Sequence, residues 1–150
     1  MPSIALNHLY AFLALTTVSI LLICSFSLYA NTVRTLPEIK HLKNILDHVA
    51  AKGNELLTFV TATNSTVCTF IQLPSTIGQK EYWIRVQNDT SNAWIEGALG
   101  EITENRIAYQ VFLPKKVSTS GDFRGGYGFA MLECYMNGST PQLNLNSTGG

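Results

Sequence analysis

Charge is the first thing this sequence lacks. Ile4 to Val33 contains no Asp, Glu, Lys or Arg, and Leu9 to Ala30 contains no His either. Charged residues make up only 13% of the whole chain and the formal net charge is zero. That balance excludes broad electrostatic attraction to nucleic acid or to anionic lipid. Lys115 and Lys116, with Arg124, make one local basic spot that reads as a solvated loop. Catalytic signatures are missing too: there is no GxSxG, no HExxH and no nucleophile beside an evident base. Cysteines number three and never fall in a CxxC spacing, which is poor ground for a metal. The expectation is a protein that is not an enzyme and holds no cofactor.

What remains is dominated by the uncharged stretch itself. At a rise of about 1.5 Å per residue, Leu9–Ala30 as a helix would span roughly 30 Å, the thickness of a bilayer's hydrocarbon core. It is too long for an ordinary secretory signal, and no clean A-x-A site follows it. Beyond it, Pro37 is the first strong punctuation, able to start a helix or bend a continuing one, with Thr35 as a candidate N-cap. Apolar positions then recur at Ile39, Leu42, Leu46, Val49, Gly53, Leu56 and Val60, steps of three and four that draw one stripe along a helix. Lys40, Lys43, Asn44, Asp47, Lys52 and Asn54 occupy the other sides. The reading is an N-terminal helix over residues 1–61, with residues 4–33 apolar and 34–61 amphipathic, bent near Pro37 and loosened at Gly53. One face of its second half must be covered by the rest of the chain or by another subunit.

After the polar break Thr61–Ser65 the period changes to two. Candidate strands are Thr66–Gln72, Tyr82–Gln87, Ala93–Leu99, Arg106–Phe112 and Tyr127–Met136, with a weaker one at Gln142–Leu145. Turns fall at Pro74–Gly78, Asn88–Asn92, Gly100–Asn105, Pro114–Gly126 and Asn137–Pro141. Roughly 90 residues are enough for one small core and not for two. Residues 62–150 therefore read as a single antiparallel β-sandwich or barrel head, and the chain as α+β. Gly121–Gly128 is glycine-rich but leads into a strand, so it lacks the context of a phosphate-binding loop.

Cys24 lies in the apolar stretch and reads as a packing residue. Cys68 and Cys134 fall in strand-like segments, where a disulfide would close a long loop in an oxidising compartment; two buried free thiols are the alternative. Asn-x-Ser/Thr sequons stand at Asn64, Asn88, Asn137 and Asn146, all beyond the apolar helix, where about two would arise by chance. Cysteines and sequons point outside the cell. Arg34, Lys40 and Lys43, just after the apolar stretch with no Lys or Arg before it, point the other way by the positive-inside rule. A basic leader once preceding Met1, or Met1–Ala5 as an unusual leader remnant, would each remove the conflict.

Other polar groups offer little chemistry. His41 and His48 lie two turns apart on one helix side, about 10.5 Å, too far to share an ion. His8 with Asn7 reads either as an interhelical polar pair or as a headgroup-level contact. Glu96, Glu101 and Glu104 surround a turn and read as solvated. Tyr82, Trp83 and Trp94 could form a sugar- or surface-binding patch, yet residues 82 and 83 face opposite sides of a strand, so at least one belongs to the core.

The sequence FIQLPSTIGQKEYWIRV opens the strand region directly after the helix. In it Leu73-Pro74-Ser75-Thr76-Ile77-Gly78 is followed by Tyr82, Ile84 and Val86. This "LPxxIG…YxIxV" pattern, with the uncharged helix before it and β structure after it, resembles archaeal type IV pilins and archaellin-like filament subunits. Bacterial pilins carry Glu at the fifth position after cleavage; Ala5 stands there, which favours the archaeal branch. The resemblance implies a lollipop-shaped pilin fold and a structural subunit of an extracellular filament. Its partners would be further copies of itself, the membrane before assembly, a prepilin peptidase and the assembly ATPase with its platform, and not nucleic acid. It further implies that Leu9, Phe12, Leu13, Leu15, Val18, Ile20, Leu22, Phe26 and Leu28 pack the filament core, while the head is exposed for adhesion. Ala11, Ala14, Thr16, Thr17, Ser19, Ser25, Ser27 and Ala30 give close-approach positions between them. The rival readings are a single-pass anchored surface or sensor domain, and a minor pseudopilin of a secretion or pilus machine.

Overall fold

A computed structural model describes residues 2–102, 108–114 and 116–148. It is α+β: one long helix, α1 (Pro2–Thr63), followed by short strands in two small sheets. Pro37 lies inside α1, and the chain divides there into two compact units, one ending at Pro37 and the other beginning at Glu38. The division thus falls earlier than residue 61, because the amphipathic half of the helix belongs to the core of the second unit. Leu42, Leu46, Val49 and Val60 have no exposed surface, and Ile45, Ala50, Leu56 and Leu57 widen the buried stripe. Asp47, His48 and Glu55 stay outside.

Among the described residues the strands are β1 (Val67–Ile71), β2 (Tyr82–Asn88), β3 (Ala93–Leu99), β4 (Tyr109–Leu113), β5 (Ser118–Ser120), β6 (Asp122–Arg124), β7 (Phe129–Asn137) and β8 (Thr140–Thr148). One sheet runs β1-β7-β8-β5 and the other β4-β3-β2-β6. Residues Arg106 and Ile107 of the expected fourth strand, and Glu104, lie outside the described residues. The strand expected at Gln142–Leu145 is a nine-residue partner of β7. That hairpin closes through Gly138, whose φ of 65° suits the first central position of a tight two-residue turn.

Two features depart from the expected all-antiparallel arrangement. The segment read as one turn, Pro114–Gly126, contains β5 and β6, and β5 runs parallel to β8. Neither three-residue strand (STS and DFR) is long enough to show an alternation. Between them stands Gly121, with φ of 106° and the carbonyl of Leu145 pressed against it, so that a Cβ there would lie 2.0 Å from that oxygen. The glycine lets the chain leave one sheet and enter the other within a single residue. Its own carbonyl accepts a hydrogen bond from the Val86 N–H at 3.1 Å.

Strand alternation delivers the core. Tyr82, Ile84 and Val86 from β2, Ile95 from β3, Leu132 and Cys134 from β7, and Leu143 and Leu145 from β8 join the helical stripe in one apolar cluster. Gly53 does not interrupt α1. It brings the Leu143 and Leu113 methyls to 3.2 and 3.8 Å from where a Cβ would stand. Gly97 on β3 likewise meets the Leu46 methyl at 3.1 Å. Two glycines, one on the helix and one on a sheet, thus permit close approach.

The LPxxIG segment turns the chain between β1 and β2. Ile77 is buried and bridges to Lys80, while the Tyr82 hydroxyl donates to the Pro74 carbonyl at 2.6 Å. Gly78 has φ of 64° beneath the Glu38 carboxylate, which pairs with Lys80 at 2.6 Å. The motif therefore fastens the loop to the beginning of the second unit's helix.

Two outcomes follow from this core. Leu46→Ala should lower unfolding free energy by about 2–5 kcal/mol in urea titration, with its neighbours Gly97 and Ile84 unable to close the gap. Burial pushes the Tyr82 hydroxyl up to about 12 from its ordinary value of 10. The folded state then holds a proton that the unfolded chain releases, so this contribution is intact below pH 10 and is lost as pH rises toward 12. Tyr82→Phe should flatten that alkaline slope in pH-dependent melting.

Candidate functional site

The large apolar side chains of the uncharged segment are exposed. Leu9, Phe12, Leu13, Leu15, Val18, Ile20, Leu22, Phe26 and Leu28 are all exposed, from 53% at Leu22 to 71% at Leu28. Each helical residue turns about 100° from the last, so these positions leave no side of α1 without a large apolar group. By length and composition the helix can cross a membrane, and none of its most apolar window is buried.

Five of its hydroxyls are provided for internally. The hydroxyls of Thr16, Thr17, Ser19, Ser25 and Thr32 donate to the carbonyls of Phe12, Leu13, Leu15, Leu21 and Leu28, four residues back, at 2.6 to 3.0 Å. In an apolar medium an unsatisfied hydroxyl costs several kcal/mol, so back-bonding lets these small residues sit in lipid or among other apolar helices. The sequence presents them as positions for close approach; their internal satisfaction is what the structure adds.

The second unit carries the remaining candidates. Cys68 and Cys134 stand on adjacent strands, but the register pairs Cys68 with Glu133 and Cys134 with Val67. One residue of offset sends the two side chains to opposite faces: Cys68 is exposed, Cys134 is buried, and both are free thiols. The expected disulfide does not form. Burial also raises the Cys134 thiol above its usual value, which keeps it protonated and inert.

All four sequon asparagines are exposed. Asn64 follows the helix with φ of 53°, Asn137 closes the β7–β8 turn, and Asn146 stands on β8 opposite Met131. Asn88 differs, because its amide oxygen accepts from the Thr119 N–H at 2.9 Å and lies 3.3 Å from the Thr119 hydroxyl. It splices the end of β2 to β5.

The other polar residues are spread over the surface. His41 and His48 are exposed, and among the described residues no three His, Cys, Asp or Glu side chains converge as a metal site would require. Glu96 accepts from the Trp94 indole at 3.2 Å and from Gln110 at 3.4 Å, with Arg85 at 4.0 Å. The Asp89 carboxylate accepts the Ser91 and Asn92 N–H groups, which hold it below the ordinary carboxylate value and build a turn. Tyr82, Trp83 and Trp94 do not form one patch: Tyr82 faces the core, while both tryptophans face outward at opposite ends of the β2–β3 ladder. No protein-family model, no curated protein and no solved structure matches this chain.

The thiols give a direct check on the register. In a Cys24→Ala background, a maleimide should modify Cys68 in the native protein and Cys134 only after unfolding, read by intact mass. Rapid native labelling of both would contradict the placement of Cys134.

Proposed function

We propose that this chain is a structural subunit of an extracellular helical filament of the archaeal type IV pilus kind. The observation that carries the reading is the uncharged segment of α1, with large apolar groups on every side and the hydroxyls of Thr16, Thr17, Ser19 and Ser25 bonded to its own backbone. The large apolar side chains of this rod are exposed and call for cover. Lipid tails can cover it before assembly, and copies of the same segment can cover it afterwards. Because lipid and a bundle of Leu, Ile, Phe and Ala are similarly apolar, transfer between them costs little hydrophobic free energy. Packing then depends on shape, and the small residues between the large ones supply close approach. A head-to-tail contact repeated between copies propagates as an open helix and does not close.

On this reading the membrane-held form precedes the filament, and the β-rich unit is displayed outside the cell with its sequons accessible. Processing by a prepilin peptidase and extrusion by an assembly ATPase belong to the same proposal. A single-pass anchored surface domain is the second reading.

Leu15→Asp and Leu22→Asp should abolish filaments on cell surfaces viewed by electron microscopy. The second unit should keep its β-sheet circular dichroism and its melting transition, since neither residue contributes to its core. Normal filaments from either variant, or a wild-type chain that stays monomeric in lipid, would count decisively against polymerisation.

A further inference from the structure

The two sheets end differently on their two sides. On one side stand β5 and β6, three residues each, which meet through Gly121 and leave little edge open. β6 also carries Asp122 and Arg124, charges of the kind that keep a strand edge from recruiting another. On the other side stand β1 and β4, the outermost strands of their sheets. Among the described residues each pairs with one strand alone, β1 with β7 and β4 with β3. Alternate N–H and C=O groups along the free side of each therefore have no ladder partner. Neither VCTFI nor YQVFL contains a charge, a proline or a glycine to blunt its edge.

The two open edges match. Both strands are five residues long, with the second and fourth residues exposed and the fifth buried. The fourth residue is phenylalanine in each, Phe70 and Phe112, and each is 63% exposed. Phe70 stands across from Met131, and Phe112 across from Trp94, so each ring borders another large apolar group on the outward face of its sheet. Charge distinguishes the ends. Glu133 is the cross-strand partner of Cys68, on the N-terminal side of Phe70. Lys116 is exposed just beyond the C-terminal end of β4. Neither makes an ion pair among the described residues. At the other end of β4, Lys43 lies over the Tyr109 ring, 4.8 Å from its centre, with Asp47 one helical turn further on, so that end is balanced.

We infer that β1 of one copy pairs antiparallel with β4 of the next, so that one sheet of each copy continues into the other sheet of its neighbour. An unpaired backbone edge calls for an extended strand, and this chain supplies one of matching length and pattern. The antiparallel sense sets Phe70 across from Phe112 and brings Lys116 toward Glu133; a parallel sense would separate those charges. The contact uses a different surface on each copy, so it propagates without closing. It rests on the filament reading, which supplies the neighbouring copy. A strip about 17 Å long buries far less than the roughly 1,200–2,000 Å² of a stable complex. The edges thus lock together copies that the apolar segments already hold close, and do not dimerise the free chain.

The test uses the full chain on cells, in a Cys24→Ala background, with Phe112→Cys added to the natural Cys68. A bismaleimide with a spacer of about 8 Å matches the distance between diagonal cross-strand neighbours. Filaments treated with it should give a ladder of dimers, trimers and longer covalent oligomers on a denaturing gel. Cys134 is buried and stays out of the reaction. Chains with one accessible thiol, either Cys68 alone or Phe112→Cys with Cys68→Ala, should stay monomeric. In the natural background, Phe70→Lys should lower the temperature at which filaments shed subunits, and adding Phe112→Glu to the same chain should restore it. Both residues are exposed, so the melting of the detergent-solubilised chain should not move. Dimers from either single-thiol chain would overturn the inference by pairing like edges. Filaments that give no ladder and ignore Phe70→Lys would overturn it and leave the filament reading standing. A ladder from the membranes of cells that show no filaments would support the strand contact and sink the filament instead, and the absence of both would remove both.

Discussion

Burial of one helical stripe organises the second unit. Leu42, Leu46, Val49 and Val60 are withdrawn completely from water by residues of both sheets, and each such side chain contributes roughly 1.5–3 kcal/mol. Neither sheet could supply this alone. The β1-β7-β8-β5 sheet brings Leu132, Leu143 and Leu145, and the β4-β3-β2-β6 sheet brings Ile84, Ile95 and Leu113. The two are joined where the chain passes through Gly121 and where Asn88 holds Thr119. Close contact at Gly53 and Gly97 ties the helix to both sheets. Glycine in a helix interior costs about 1 kcal/mol relative to alanine, and the methyls packed against Gly53 offset that.

The uncharged segment obeys the opposite rule. Large apolar groups stand on every side of it, and they are exposed. In the second unit sequence pattern and burial coincide because polar residues mark the outside of the helix. In the first there is no polar side to mark, and the pattern specifies an environment in place of a partner. Hydroxyls that bond four residues back serve that specification, since those of Thr16, Thr17 and Ser19 no longer depend on water. A segment built this way is indifferent to whether its surroundings are acyl chains or other helices, and the filament proposal depends on that indifference.

Much of this was legible in the amino-acid order. The three–four stepping from Leu42 to Val60 matches the buried stripe, and alternation at Tyr82, Ile84 and Val86 matches the inward face of β2, because both periods are imposed by backbone geometry. The lost information is of two kinds. Strands β5 and β6 are three residues each, too short for any period to show, and depend on one glycine whose φ is set by its neighbours. Cross-strand register is invisible locally as well. Cys68 and Cys134 lie in correctly recognised strands, yet a single residue of offset decides that they face away from each other.

Register also separates the two tryptophans, which composition treats as equivalent. Trp94 pairs with Gln87, and its indole donates to Glu96 on its own strand, so its polar atom is accounted for. Trp83 lies between Ala98 and Arg124 with its N–H unmatched. The same residue type therefore has its donor matched at one end of the ladder and buried without a partner among the described residues at the other. The inward neighbour Tyr82 sharpens the contrast, because its hydroxyl is spent on the Pro74 carbonyl of the LPxxIG loop. Of the three aromatic residues that suggest a binding patch, two have their polar atoms matched, and the third keeps its own buried without a partner among the described residues.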